Sequence, residues 1–282
     1  MVFERGDDLF RLEDAGPWLW TRHIGVANYD FPFARVFACH RTRPRERDEL
    51  ELIARVGAFD DYAGTYAALR EQGLRLVNSP AEHLRATRLP HWYPRIAALT
   101  PKSLWFDAPP DPDLIAAELG WPMFMKGERQ THGHRRHLSI ITGPDHYREV
   151  LEHYAAHPRL RWQALVCRQL APLRPVEDPD PERVPSRYEF RTFWWHGELV
   201  GLGRYWWQGQ PYALTRDEEP HALALARDAA LRVDVPFLVV DIAQQIDGTW
   251  IVIECNDAQE SGHAGVSALG LWRTLVDRHD PR

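Results

Sequence analysis

Residues 237–262 read FLVVDIAQQIDGTWIVIECNDAQESG, two apolar runs on either side of an Asp-Gly pair. Asp-Gly between β-forming runs is a strong hairpin signal, because both central residues of a type I′ turn require positive φ. With Asp247 and Gly248 as the loop, Ile246 pairs with Thr249. Counting outward sets Asp241 opposite Glu254, with Asn256 two residues further along the same face. Leu238, Val240, Ile242, Ile251, Ile253 and Cys255 then share the other face, so period-two alternation predicts one apolar side and one side bearing oxygen ligands. Two carboxylates facing each other across a ladder repel, and the pair costs stability unless a cation lies between them or one is protonated. Asp, Glu and Asn supply only oxygen, which suits magnesium better than zinc, and magnesium completes its shell with water and substrate phosphates. The stretch points to a nucleotide site. An edge hairpin with solvated acids would carry the same residues, and a bulge would shift the register.

The chain around this hairpin has 282 residues and ordinary apolar and charged fractions, enough for one large domain or two modest ones. Its net charge of -6 disfavours non-specific binding to nucleic acid or to an anionic membrane. Cys39, Cys167 and Cys255 each lie in an apolar strand-like run without metal-type spacing, and read as small buried hydrophobes in a reducing compartment. The opening residues MVFERGDDLF lack the basic-then-apolar pattern of a signal peptide, and no apolar run approaches membrane-spanning length. A cytoplasmic protein without nucleic-acid or membrane partners is expected. Twelve tryptophans, several of them in one hairpin, read as core packing, with a binding wall as the alternative.

In chain order, the pattern predicts a strand over residues 34–39, a helix over about 46–56, a second helix over 62–71 closed by Gly73, and a strand over 74–77. Asn78-Ser79-Pro80 starts another helix, and this α/β lobe ends near residue 99. After the proline-rich break at 107–113 come a helix over 114–119 and a brief strand that delivers Lys126 to its end. A basic, glycine-bearing loop over 127–137 then leads to a strand over 138–141 and a helix to about residue 156. A strand over 162–170 and a proline-rich acidic loop precede a second hairpin about His196-Gly197. Its two-residue turn would set Glu189 opposite Arg204, with Arg191 on the face of Glu189. Helices over 219–232 and 266–278 flank the first hairpin.

Five motifs now stand in a recognisable order: TPKSLWF, WPMFMKG, the strand ALVCRQLAPL, the Glu-x-Arg strand YEFRTFWW and the hairpin ending IECN. In this order the chain resembles the ATP-grasp superfamily, and within it the small bacterial and phage clade named for a conserved arginine and two lysines. The resemblance implies an α+β, two-lobed ATP-grasp fold over residues 100–282, preceded by a small α/β pre-domain over 1–99. It makes Lys126 the lysine at the α-phosphate and Lys102 the earlier lysine that closes on the nucleotide. Residues 127–137 would cover the phosphates; His132, His134 and His137 in that loop read alternatively as a metal cluster, against which its basic charge argues. Cys167, Arg168 and Gln169 would form the hinge that reads adenine, although relatives commonly carry a glutamate where this chain has Gln169. Arg191 would neutralise the γ-phosphate and the acyl-phosphate made from it. Asp241, Glu254 and Asn256 match the family's metal set, implying ATP with two magnesium ions.

The implied activity is ATP- and magnesium-dependent ligation of a carboxylate to an amine through an acyl-phosphate, on an amino acid, peptide or other small molecule, with Arg191 and Lys126 as the catalytic pair. Asp257, Gln259, Glu260 and Ser261, just beyond the metal ligands, are candidates for touching the acceptor. A phosphotransferase using the same clamp, or a nucleotide-binding regulator without turnover, are the alternatives.

Overall fold

The computed structural model describes residues 2–4, 6–22, 32–41, 49–128, 135–157, 161, 163–176 and 182–279. Three sheets organise it. The first contains β1 (Asp7–Leu12), β2 (Trp18–Arg22), β3 (Cys39–His40), β4 (Leu50–Arg55) and, beyond helix α1 (Tyr62–Arg70), β5 (Leu74–Leu76). Its strand order is β3-β1-β2-β4-β5, antiparallel on the β1 side and parallel from β2 to β5. The helix expected over 46–56 is instead strand β4, where it is described. Glu, Leu, Ala and Arg favour a helix intrinsically, but Leu52, Ile53, Ala54 and Arg55 are all buried inside this sheet, and burial overrides propensity. The strand expected over 34–39 is a short 3-10 turn, Phe33–Arg35, followed by β3.

Helices α2 (Pro80–Thr87) and α3 (Leu89–Ile96) follow. Ser79 caps α2 in a reciprocal box, its hydroxyl accepting from the Glu82 amide while the Glu82 carboxylate accepts from the Ser79 amide. The second sheet holds β6 (Ser103–Phe106), β7 (Met123–Gly127), β8 (Ile140–Ile141) and β9 (Leu165–Gln169) in the order β6-β9-β7-β8. Its helices α4 (Pro112–Glu118), α5 (Arg136–Ser139) and α6 (Pro144–Ala156) belong to the same lobe. Ile115, Met123, Met125, Tyr147, Val150 and Cys167 form its core.

The third sheet comprises β10 (Glu189–Trp195), β11 (Glu198–Arg204), β12 (Phe237–Gln244) and β13 (Trp250–Asp257), ordered β11-β10-β12-β13 and antiparallel throughout. Helix α7 (Glu218–Val233) joins α2 and α3 on one face, presenting Ala222, Ala226, Ala229 and Ala230 so that its backbone lies close to the strands. Helix α8 (Ala268–Arg278) covers the other face, where Trp272, Phe193, Phe237 and Val239 meet Phe10, Leu12, Leu19 and Ile53 of the first sheet. With both faces covered, every residue of β10 and β12 is buried, and simple alternation of polar and apolar residues is lost there.

The loop after β13, expected to meet the acceptor, is instead the joint between the first and third sheets. Arg55, 2% exposed, donates from Nη1 to the carbonyls of Ala258 (2.6 Å), Gln259 (3.1 Å) and Ser261 (2.9 Å). Gln259 accepts from the Ala54 amide at 3.0 Å and donates to the Tyr62 hydroxyl at 2.9 Å. Asp257 meets His83 Nδ1 at 3.0 Å, and Glu260 accepts from the Phe59 amide at 2.9 Å. Asn78 extends the joint by exchanging two 2.9 Å hydrogen bonds with the Phe237 backbone. Polar side chains sealed in this way are fixed structure, because each loses its solvation and must keep its partner.

Arg55→Ala strands three buried carbonyls, and should lower unfolding free energy by about 2 to 4 kcal/mol. Calorimetry or denaturant melts read this directly, and a melting temperature within a degree of wild type would show that the joint is held by other contacts.

Candidate active site

The site is built on β12 and β13, whose register places Asp241 opposite Glu254 and Val239 opposite Asn256. The turn is one residue longer than the Asp-Gly pair suggests: Gln245 pairs with Thr249, the Gly248 amide donates to the Gln245 carbonyl at 3.0 Å, and Gly248 takes φ +88°. A three-residue loop with a left-handed glycine produces this pattern. A bulge at Ile253 then restores the count, since Ile242 pairs with Val252 while Asp241 pairs with Glu254. The two irregularities cancel at the carboxylates. Their consequence is that Val252 replaces Ile251 and Ile253 in the core, and Ile253 lines a cavity beside Glu254.

The repulsion expected between the two carboxylates is offset by two cations from different strands. Arg191 of β10 grips Asp241 with both arms, Nε to Oδ1 at 2.9 Å and Nη2 to Oδ2 at 2.8 Å, and donates Nη1 to the Gly262 carbonyl at 2.7 Å. Its guanidinium lies 5.0 Å above the Tyr205 ring. Lys126, from the end of β7 in the second sheet, makes an ion pair with Glu254 and is itself 4% exposed. Burial works to raise the Glu254 carboxyl, but the charge and hydrogen bond of Lys126, then Arg168 and Arg191, hold it below its ordinary value. For Asp241 burial dominates and pushes the carboxyl up despite Arg191.

Arg168 of β9 runs underneath, donating to the Ser103 hydroxyl at 2.9 Å, the Thr100 hydroxyl at 2.7 Å and the Ile253 carbonyl at 2.7 Å, so the second sheet also meets β13 through its backbone. Burial lowers Arg168 to about 10, which leaves it protonated at neutral pH.

Two cavities meet here. The smaller, about 130 Å³, is lined by Lys126, Arg168, Gln169, Glu189, Ile253 and Glu254 among others. The larger, about 580 Å³, lies along Arg191 and the Tyr205–Trp207 segment, and the two share Val184, Pro185, Tyr205 and Trp206. The structure thus brings together Lys126, Arg168, Gln169, Arg191, Asp241 and Glu254. Asn256 follows on the same face, half-buried, and its amide makes no hydrogen bond among the described residues. Cys167 turns its thiol into the core of the second lobe and lines neither cavity. Lys102 lines neither cavity; its ammonium pairs with Glu118 at 2.7 Å, both side chains about half exposed at 48% and 45%.

Of the basic loop expected over 127–137, residues 129–134, with His132 and His134, lie outside the described residues. His137 meets Glu149 at 2.9 Å and stacks on His146 at 4.4 Å. Among the described residues no group of three or more His, Cys, Asp or Glu side chains forms a metal cluster. The donor set on β12 and β13 still suits a hard cation, because two opposed carboxylates and one uncommitted amide offer oxygen alone.

Sequence reasoning missed the second half of the proline-rich loop, where Val184, Pro185 and Arg187 form a wall, and it shifted the second hairpin by one residue. A bulge between Phe193 and Trp194 places Arg204 opposite Phe190, and Tyr205 donates its amide to the Glu189 carbonyl at 2.9 Å. The aromatic run at 205–207 was the available signal. Glu189, 6% exposed, accepts from the Trp206 indole at 3.0 Å, and burial followed by the nearby Asp241 carboxylate pushes it up to about 8.

Two expectations follow from these charges. Glu254→Gln leaves Lys126 buried without its counter-charge, so the ligand-free protein should lose about 1 to 3 kcal/mol, the low end reflecting the partial exposure of Glu254. A denaturant melt showing equal or greater stability would mean that carboxylate repulsion outweighs the ion pair. Glu189 keeps its proton on folding up to about pH 8, whereas the unfolded chain releases it near the ordinary carboxylate value. The stability it contributes is complete below that unfolded value and is lost as pH rises through about 8. The melting temperature of Glu189→Gln minus that of wild type should therefore rise from pH 5 to about 8 and level off above; a flat difference would show that Glu189 titrates normally.

A family model matches residues 101–275, more than half of the chain, and describes the ATP-grasp domain of family 3 in the clade named for one arginine and two lysines. No curated protein matches the sequence. Among solved structures, a RimK domain ATP-grasp protein from Sphaerobacter thermophilus aligns with TM-score 0.56 at 17% identity, covering 81% of this chain and 80% of that one. The VanG D-Ala:D-Ser ligase from Enterococcus faecalis aligns with TM-score 0.58 at 14% identity, covering 86% of this chain and 76% of that one. The α+β fold is that of the two-lobed ATP-grasp proteins, and the chain belongs to the ATP-grasp domain family, in family 3 of the arginine-and-two-lysine clade.

Proposed function

We propose that the protein is an ATP-dependent ligase that joins a carboxylate to an amine, acting on an amino acid or peptide, with residues 1–99 as a pre-domain and 100–282 as the ATP-grasp unit. The observation that carries this reading is the position of Arg191, at the wall of a large cavity that opens onto the smaller pocket holding Lys126 and Glu254. A nucleotide in the smaller pocket would place its phosphates near Lys126, and a second substrate in the larger one would meet them at Arg191. One protein of like fold is named a D-Ala:D-Ser ligase, which agrees with the choice of substrate class.

In this reading, backbone groups of residues 167–169 and the Gln169 side chain contact adenine, and Lys126 contacts the phosphates. Lys102 reaches the nucleotide after releasing Glu118, an exposed pair that solvent screens and that breaks at little cost. Asp241, Glu254 and Asn256 would hold magnesium, which when bound supplies positive charge beside the phosphates. A carboxylate oxygen of the substrate attacks the γ-phosphorus of ATP, the bond to the β,γ-bridging oxygen breaks, and ADP leaves. The amine then attacks the acyl carbon, phosphate departs and the amine proton passes to solvent. Arg191, fixed by Asp241 and Gly262, offers its remaining N–H groups to the charge that develops in both steps.

ADP release is the test. The ligase needs a carboxylate to form ADP, and hydroxylamine should trap the acyl-phosphate as a hydroxamate; ADP formed with an alcohol alone identifies a phosphotransferase, and ATP binding without ADP a regulator. Arg191→Lys keeps one charge but loses the two-armed grip, and should slow carboxylate-dependent ADP release roughly 100- to 1,000-fold while ATP affinity changes little. Wild-type turnover in that variant would remove Arg191 from the chemistry.

A further inference from the structure

The larger cavity has a chemical character that narrows its ligand. Among the described residues its lining holds no Asp or Glu, whereas it holds Arg183 and Arg191. Arg191 is neutralised by Asp241, but the Arg183 guanidinium at the rim, exposed, has no carboxylate partner among the described residues. One wall is the run Tyr205, Trp206 and Trp207. Tyr205 lies under Arg191, and Trp206 is tied by its indole to Glu189.

Trp207 is different. Its backbone is fixed, the amide donating to the Tyr205 carbonyl at 3.0 Å and the carbonyl accepting from Arg204 at 3.0 Å, yet its side chain is 48% exposed. Trp105 is the other exposed tryptophan among the described residues, and it packs edge-on against Tyr93 at 5.8 Å, whereas Trp207 makes no ring contact among them. The opposite floor is equally fixed. Gly203 lets residues 265–266 lie directly on β11, where a Cβ would stand 2.3 Å from Gly265, and this close approach carries Gly262 and Ala264 into the cavity. A bare aromatic plane held rigidly inside a concavity that also presents two arginines is a surface for a ligand that joins a ring to a negative charge.

We propose that this cavity takes an aromatic carboxylate, an amino acid or peptide whose ring lies against Trp207, whose reacting carboxylate lies at Arg191, and which Arg183 attracts by charge. The assignment deepens the ligase reading and rests on it for the identity of the reacting group.

Binding tests the assignment separately from turnover. The full chain, held with a non-hydrolysable ATP analogue and magnesium, is titrated calorimetrically with N-acetylphenylalanine, N-acetylalanine and N-acetylphenylalaninamide. Wild type should bind the first roughly tenfold more tightly than either of the others, the increment of one aromatic stack or one charge-assisted contact. Trp207→Leu should erase the preference for the ring while leaving N-acetylalanine unchanged, and Arg183→Gln should weaken both carboxylates but not the amide. Trp207 is exposed and Arg183 lies at the rim, so both variants should melt as wild type; if Trp207→Leu does not fold, Trp207→Gln replaces it with the same expected loss of ring preference. Equal affinities for the ringed and ringless carboxylates, or a ring preference that survives in Trp207→Leu, would overturn the assignment. Weaker binding of the ATP analogue alone in Trp207→Leu would overturn it as well, by giving the indole to adenine. Ring-selective binding with no ADP released from any carboxylate would sink the ligase reading and keep the site, whereas ADP release without ring preference would do the reverse.

Discussion

Asp241 and Glu254 face each other across β12 and β13 in the interior, and each requires a cation that neither strand of the hairpin provides. Arg191 comes from the neighbouring strand of the same sheet, and Lys126 from the far end of a strand in the other lobe. The second pairing ties one lobe to the other. Arg168 adds to it by reaching the Ile253 carbonyl, so both lobe-crossing contacts end on the same bulged segment of β13. A phosphate chain entering between the lobes would compete for Lys126 directly, and a hard cation would compete for Glu254. The ion pair therefore holds the cleft in a form from which both ligands would displace one partner, each meeting a group that already carries the right charge.

The buried acids of this cleft are held in opposite states by their neighbours. Glu254 faces Lys126 and is kept ionised; Glu189 faces an indole N–H and the Asp241 carboxylate, and is kept protonated to about pH 8. A proton on Glu189 spares the sheet a third buried negative charge, which two cations could not neutralise. The same residue fixes Trp206 and so the start of the aromatic wall. Charge balance in the smaller cavity and shape in the larger one are linked through one side chain.

Much of this was legible in the sequence where local rules decide. The Asp241–Glu254 pairing followed from counting outward from Asp-Gly, although the longer turn and the bulge at Ile253 both broke the count and happened to cancel. Around His196-Gly197 the turn was as expected, but a single bulge at Val200 had nothing to cancel it, and Arg204 slid one position from Glu189. Strand β4 was hidden because its residues prefer helix and only the sheet around them makes them strand. Lys126 was placed by its position at a strand end. Lys102 was placed by resemblance alone, and its ammonium turns to Glu118 because the chain there faces helix α4. Long-range pairing of polar loops has no local signature, so the burial of Asp257, Gln259 and Ser261 against the first sheet could not be read from their solvent-like composition.

That buried loop also explains how the first sheet, none of whose described residues lines either cavity, affects the site. Arg55 clamps three carbonyls between Ala258 and Ser261, and the next residue, Gly262, presents the carbonyl that receives Arg191 Nη1. Asp241 alone would leave the guanidinium free to tilt about its two-armed contact. The Gly262 carbonyl supplies the third fixed point, and three points define a plane. The N-terminal sheet thus sets the orientation of a group at the boundary of both cavities from behind the β-strands, and an ammonium, having no plane to be oriented, could not take this position without losing what the joint provides.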